Sequence, residues 1–260
     1  MFSPFADSFR AGMRPGAIPP AALPNISVWY DASSPTYFQP SNPVNGDLIT
    51  QWNDKSGASH NASTSGNPDK PTYVTPAQNG YGAVSFNGTS NFLQINNTGT
   101  WMVPGGTPLN GFTLYVVFKS TSTSGTRTLT YTDQNGFANY ISGGVWVTQT
   151  AGGTGTSTVA ADTTNYNMLG QIFDGTLTGN DNRLKFRYNT VQKTLSWGAT
   201  TVNSTINAST NAMAFGANNS AKNASNFFQG LIAEVVMLSR AANVLEIEGI
   251  ENYLKLKWNI

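Results

Sequence analysis

The chain contains no cysteine and a single histidine, and Asp, Glu, Lys and Arg make up only 10% of its 260 residues. The first absence excludes a disulfide framework and a thiolate metal centre. The second makes zinc chemistry or a Ser-His-Asp hydrolase depend on His60, which sits in the polar string "SGASHNAS" and reads as a surface-loop residue. The third is low against the roughly 25% of an ordinary soluble protein. With a net charge of +1 there is no field to attract nucleic acid or an anionic membrane. Residues 81–161 hold just Lys119, Arg127 and Asp133 as charged groups. No stretch reaches the ~18–20 apolar residues of a membrane helix. The opening "MFSPFADSFRAGMRPGAIPP" lacks the apolar run of a signal peptide and is broken by proline. The expectation is a protein made in the cytoplasm with no obvious amino-terminal export route.

Ser, Thr, Asn and Gly take the place of charge, and they separate short apolar runs. "ISVWYDA" (26–32), "DLITQW" (47–52), "GAVSFNG" (82–88), "NFLQIN" (91–96) and "TRTLTYTD" (126–133) read as strands. "FTLYVVFKS" (112–120) is almost wholly apolar and predicts a strand covered on both faces. Further strands are expected at 137–149, 166–174, 183–188, 192–197, 212–217 and 230–238, and "TAGGTGTST" (150–158) reads as a flexible loop. The end changes period. In "NVLEIEGIENYLKLKWN" (243–259), Ile247, Ile250, Leu254 and Trp258 share one helical face. Asn243 with Glu246 forms a capping-box start, and Glu251–Lys255 an i, i+4 pair. Residues 1–24 contain Pro4, Pro15, Pro19, Pro20 and Pro24, yet Phe2, Phe5, Phe9 and Met13 are spaced as on one face of a short helix. This is an arm whose apolar anchors must lie on the body or on a partner.

Taken in order, "WYDAS" (29–33), "WNDKSG" (52–57), "PTY" (71–73), "GAVSFNGTSNFL" (82–93), "FTLYVVFK" (112–119), "QGLIAEVVMLSRA" (229–241) and "ENYLKLKW" (251–258) give the chain its character. Together they resemble the laminin-G-like domains of the concanavalin A-like lectin/glucanase superfamily, in the form common in bacterial and phage proteins. The resemblance spans residues 26–258 and implies an all-β, two-sheet antiparallel jelly-roll sandwich. The expected layout is an extended arm at 1–24, a jelly roll over 25–260 and one C-terminal helix. Such domains bind sugars, bind proteins or serve as inert modules, so the fold alone names no activity. Where many relatives carry an Asn-Gly hairpin after the "RLKFRY" strand, this chain has Asn189-Thr190.

Candidate chemistry is sparse. In "WNDKSG", Asp54 could be an acid or metal ligand. The plainer reading puts Trp52 in the core, Asn53-Asp54 opening a turn, Gly57 at positive φ and Lys55 in water. Glycoside hydrolysis needs two carboxyls flanking the bond. The resemblance implies a Glu-x-Asp-x-Glu strand for the superfamily's glucanases, and no strand here carries one. Glu246-x-Glu248 lies on the predicted helix, with its two acids on different sides. Calcium needs only oxygen ligands, and Asp133, Asp174 and Asp181 fall in loops, but none matches an EF-hand spacing. A sugar site pairs an aromatic platform with fixed polar groups. Asp133, Asn135, Tyr140 and Trp146 surround one predicted hairpin and are the candidates, although core packing explains Trp146 equally well. On the "RLKFRY" strand Arg183, Lys185 and Arg187 share a face, as a solvated surface or as a contact for an anionic partner.

The sequence therefore predicts a non-enzymatic virion structural protein: a capsid decoration or cement protein held through Phe2, Phe5, Phe9 and Met13. Its partners would be capsid or other virion proteins, in a homo-oligomer or on the particle, with no nucleic acid or membrane and no cofactor, calcium being the one left open. The alternative is a lectin-like carbohydrate-binding module, as on a phage fibre or tail.

Overall fold

In the computed structural model, residues 16–64, 67–96, 108–132, 136–206, 212–220 and 223–260 are described. The anchors Phe2, Phe5, Phe9 and Met13, and the loop residues Asp133 and Asn135, lie outside them.

Alternation of apolar and polar residues builds the strands, in chain order. They are β1 (Ile26–Asp31), β2 (Phe38–Gln39), β3 (Gln51–Trp52), β4 (Ala62–Ser63), β5 (Thr72–Gln78), β6 (Tyr81–Asn87) and β7 (Leu93–Ile95). Next come β8 (Gly111–Ser120), β9 (Arg127–Tyr131), β10 (Phe137–Ser142), β11 (Val145–Thr150), β12 (Gly153–Ala160) and β13 (Asn167–Asp174). A short helix α1 (Asn180–Arg183) leads to β14 (Leu184–Tyr188), β15 (Val191–Lys193), β16 (Leu195–Ser196) and β17 (Met213–Phe215). The small hairpin β18 (Asn218–Ser220) and β19 (Asn223–Ser225), the long β20 (Gln229–Leu238) and helix α2 (Val244–Trp258) complete the chain.

Two large antiparallel sheets result among the described residues, beside the two-stranded β18-β19 hairpin. An eight-stranded sheet runs β15-β14-β13-β8-β20-β6-β5, with β1 also paired to β20. A ten-stranded sheet runs β16-β12-β11-β10-β9-β17-β7-β4-β3-β2. The main core fills the space between them, with Phe38, Trp52, Phe86, Phe112, Phe118, Phe137, Trp146 and Phe186 among its buried side chains. A second core lies on the other side of the eight-stranded sheet, where Ile250, Tyr253, Leu254 and Trp258 of α2 cover Tyr115, Val117, Ala233 and Val236. The order of layers is thus helix, eight-stranded sheet, ten-stranded sheet. β8 touches both cores, which is why its sequence does not alternate.

The helix starts where the sequence predicts. The Asn243 side chain accepts the Glu246 N–H, and the Glu246 carboxylate accepts the Asn243 N–H. Such a cap is worth ~1 kcal/mol. Gly249, a weak residue in a helix, is there for contact. A Cβ at this position would come within 2.4 Å of Ile18, and the Ile18 N–H donates to the Gly249 carbonyl at 2.9 Å. Ala17, Ile18 and Leu23 belong to the second core, so the described end of the leader lies on its own domain.

Several local expectations are corrected. Residues 150–158 do not form a flexible loop; most of them lie in β12, whose burial alternates. Gly153 and Gly155 permit this, because a Cβ there would meet Val202 at 2.4 Å and Leu195 at 2.8 Å. Only Gln51–Trp52 of the 47–52 segment is strand. Thr72–Gln78, unannounced because it contains Pro76, forms the edge strand β5, where a missing N–H is tolerated. Glu251 does not pair with Lys255; it is buried against Arg187.

Candidate functional site

WNDKSG is a scaffold turn. Trp52 is buried and stacks on Phe38 at 5.3 Å. Asp54 Oδ1 accepts the N–H groups of Trp29 and Ser56, both at 2.9 Å, and Oδ2 accepts the His60 N–H at 3.1 Å. Gly57 has φ +91°. Lys55, expected in water, instead turns inward. Its Nζ lies 2.6 Å from Asp31 Oδ2 and 4.3 Å from the centre of the Trp29 ring. An unpaired buried carboxylate needs a cation, and Lys55 is close enough to serve. His60 is part-buried, and its Nδ1 donates to the Ser27 carbonyl at 2.7 Å.

Below α2 the charges converge. Lys257 Nζ lies 2.6 Å from Asp31 Oδ1 and 2.8 Å from Glu234 Oε2. Glu234 also accepts the indole N–H groups of Trp29 and Trp258 and the Tyr253 hydroxyl. Burial would raise the Asp31 carboxyl, but Lys257 and Lys55 outweigh it and hold it well below the usual range. Burial dominates at Glu234 and raises it, against the pull of Lys257. For Lys257, burial works to lower the ammonium, and the two carboxylates reverse that and raise it. Two acids do meet here. They are sealed under the helix and bridged by a lysine, leaving no room for a glycosidic bond between them.

The opposite surface, the outer face of the ten-stranded sheet, has another character. Strand register lines up one row of residues across it. Gln39 pairs with Gln51, Gln51 with Ser63, Ser63 with Gln94 and Gln94 with Ala214. Ala214 continues to Tyr131, Ala138, Gln149 and Thr154. A second row runs Thr128–Tyr140–Val147–Thr156–Ser196. Neither row contains a charge. The middle is closed, with Ala138, Ala214, Tyr131 and Gln94 buried, whereas Gln149, Thr154, Thr156 and Tyr140 reach solvent at one end. The register of β10 is fixed from below: the Asn139 amide, facing the core, donates to Gln171 Oε1 at 2.7 Å and Thr130 Oγ1 at 3.0 Å.

The sequence candidates separate accordingly. Tyr140 stands half-buried on the outer face, and burial raises its hydroxyl. Trp146 points the other way. It is fully buried, edge-on to Phe118 at 5.0 Å, and is a core residue rather than a sugar platform. Asp133 and Asn135 lie outside the described residues. Arg183, Lys185 and Arg187 do not form one basic face. Arg183 ends α1 and donates to the carbonyls of Leu177 and Val202. Arg187 grips Glu251 at 2.5 and 2.9 Å and also bonds the Thr190 carbonyl. Only Lys185 keeps the outward role the alternation suggests. Asp174 caps its own turn through Thr176, and Asp181 accepts the Trp197 indole N–H. Among the described residues no three acids or histidines cluster as a metal set. No helix there is long and apolar enough to cross a membrane. The uncharged rows were missed from sequence because their members come from strands far apart in the chain.

The fold defines the class: a two-sheet antiparallel jelly-roll β-sandwich. Solved structures share the architecture. The chain is similar to a Trypanosoma rangeli sialidase, with TM-score 0.59, 14% identity, and coverage of 96% of this chain and 37% of the sialidase. It is similar to domain 4 of AbnA, a GH43 extracellular arabinanase from Geobacillus stearothermophilus, solved with arabinotriose: TM-score 0.55, 12% identity, 88% of this chain and 98% of that one. The binding domain of botulinum neurotoxin DC, solved with rat synaptotagmin II, gives TM-score 0.50, 11% identity, and coverage of 88% and 52%. The chain thus spans about half of the toxin domain and just over a third of the sialidase. At these identities the likeness is one of fold, and none of the three is described as a laminin-G-like domain or a phage protein. No protein-family profile matches the chain, and no curated protein does.

Proposed function

We propose that the chain is a non-catalytic carbohydrate-binding module that takes neutral, hydroxyl-rich glycans at the open end of the outer face, around Tyr140, Gln149, Thr154 and Thr156. The observation that carries this is the uncharged amide, hydroxyl and tyrosine surface laid out by strand register. Amides and hydroxyls match sugar hydroxyls in both donor and acceptor roles, and a tyrosine ring offers an apolar face to a pyranose. The absence of charge along the rows favours neutral over acidic chains. Structures of like fold include an arabinanase domain with arabinotriose and a botulinum toxin whose entry depends on gangliosides, which is compatible with glycan binding.

The test is a screen of neutral oligosaccharides, followed by calorimetry on Tyr140→Ala and Gln149→Ala. Binding weakened at least tenfold with an unchanged melting temperature supports the reading. Undiminished binding in both variants sinks it, as would release of reducing sugar from any bound polysaccharide.

A second role concerns the leader. The spacing of Phe2, Phe5, Phe9 and Met13 favours docking on a partner, as in a capsid decoration protein of a virion. Deleting residues 1–15 should then abolish particle incorporation and leave glycan binding intact.

A further inference from the structure

A cavity of about 470 Å³ opens at one end of the eight-stranded sheet, away from the neutral rows. Its lining includes Gln78 of β5, Lys119 near the end of β8, Asp162 and Tyr166 before β13, Asn167 of β13 and Asn189 in the β14–β15 turn. That volume lies within the roughly 300–1,000 Å³ typical of ligand pockets.

Most of the lining is already committed, and the commitments show what is left over. Asp162 Oδ1 accepts the N–H groups of Thr164 at 2.7 Å and Asn165 at 3.2 Å, and Oδ2 accepts the Asn165 amide at 2.9 Å. Asn189 Oδ1 accepts the Met168 N–H, and its amide donates to Asn167 Oδ1. The Gln78 amide donates to the Trp258 carbonyl. Gln78 also donates to the Asn259 carbonyl at 3.4 Å, whereas the Asn165 and Asn189 amides each keep a second N–H to give. Lys119 Nζ makes no ion pair or hydrogen bond among the described residues. Tyr166 is nine-tenths buried, and its hydroxyl has no partner among the described residues. The cavity therefore keeps unspent donors and, among the described residues, an unpaired cation, while the Asp162 carboxylate is satisfied by backbone and amide N–H groups.

We infer that this cavity is a second binding site, independent of the neutral sheet face, for a single carboxylate-bearing sugar residue of the hexuronate type. Lys119 holds the carboxylate, and the amides hold the ring hydroxyls. An ammonium and a carboxylate attract even across solvent, and the donor-rich walls suit an acceptor-rich ligand.

The probes are methyl glucuronoside, methyl glucoside and acetate, titrated against the full chain by calorimetry and ligand-observed NMR. The glucuronoside should bind at least tenfold more tightly than either of the others. Lys119→Met should weaken it at least tenfold, Lys119→Arg should largely restore it, and both should melt as the parent does. Tyr140→Ala should leave it unchanged, which separates this site from the sheet face. Equal binding of glucuronoside and glucoside overturns the inference, as does equal binding of acetate, an unaffected Lys119→Met variant, or no glucuronoside binding at millimolar concentration.

Discussion

The two outer layers of this sandwich use polar residues in opposite ways. On the helix side, Asp31, Lys55, Glu234, Lys257, Arg187 and Glu251 are drawn inward and paired. On the far side, the ten-stranded sheet presents amides and hydroxyls and no charge along its two central rows. A chain with so few charges has spent many of them on fastening one helix. Buried ion pairs add little net stability over apolar packing, but removing one partner is costly. The helix face is therefore specified and intolerant, whereas the uncharged sheet face carries no such paired charges along its rows.

The contrast is broken or sharpened by four experiments. Lys257→Met strands Asp31 and Glu234 beneath α2 and should cost about 3–5 kcal/mol. Gln149→Ala on the sheet face should stay within about 0.5 kcal/mol. Equal losses in urea titrations would erase the distinction. The second experiment is a pH series. Asp31 is held below its ordinary 3.8, so its stabilisation is complete above that value and disappears as pH falls through the lower folded value. Lys257 is raised above 10.5, so its contribution is complete below that value and fades as pH rises through the higher folded one. Glu234 has the sign opposite to Asp31: ionising it costs stability as pH climbs from 4.5 towards its raised value. Melting temperature against pH should therefore fall at both extremes, and Asp31→Asn should blunt the acid limb.

Gly249→Ala adds about 1 kcal/mol of helix propensity but drives a methyl into Ile18. Faster proteolysis across residues 16–24 is expected, with little change in global unfolding. The smallest effect is at Thr190, a β-branched residue at φ +70° beside Asn189 at φ +47°. Thr190→Gly should relieve that strain and gain about 0.5–1 kcal/mol in thermal melts, since the cost of left-handed backbone exceeds glycine's entropic penalty.

Much of the fold can be read from the letters. The full apolar run of β8, the 3.6 period and cap of α2, and the alternation of Leu184, Phe186 and Tyr188 are local signals, and each meets its expected surroundings. What escaped notice depends on distant residues. Asp31 and Lys257 meet across nearly the whole chain, and nothing near Lys55 or Glu251 marks them for burial. The glycines of β12 look like loop residues until Val202 and Leu195 are seen pressed against them. Alternation along "VWVTQT" gives two faces but not which one meets the core; packing against Phe118 decides that for Trp146. The neutral rows belong to no segment and appear only when register joins β2 to β12.

The contact between Ile18 and Gly249 also sets a direction. The first described residues lie on the helix layer, with Gly16 beside Asn252. The neutral rows lie two layers away, on the order of 20 Å at about 10 Å per layer. A body tethered at that end would thus stand with its uncharged sheet face turned away from the tether.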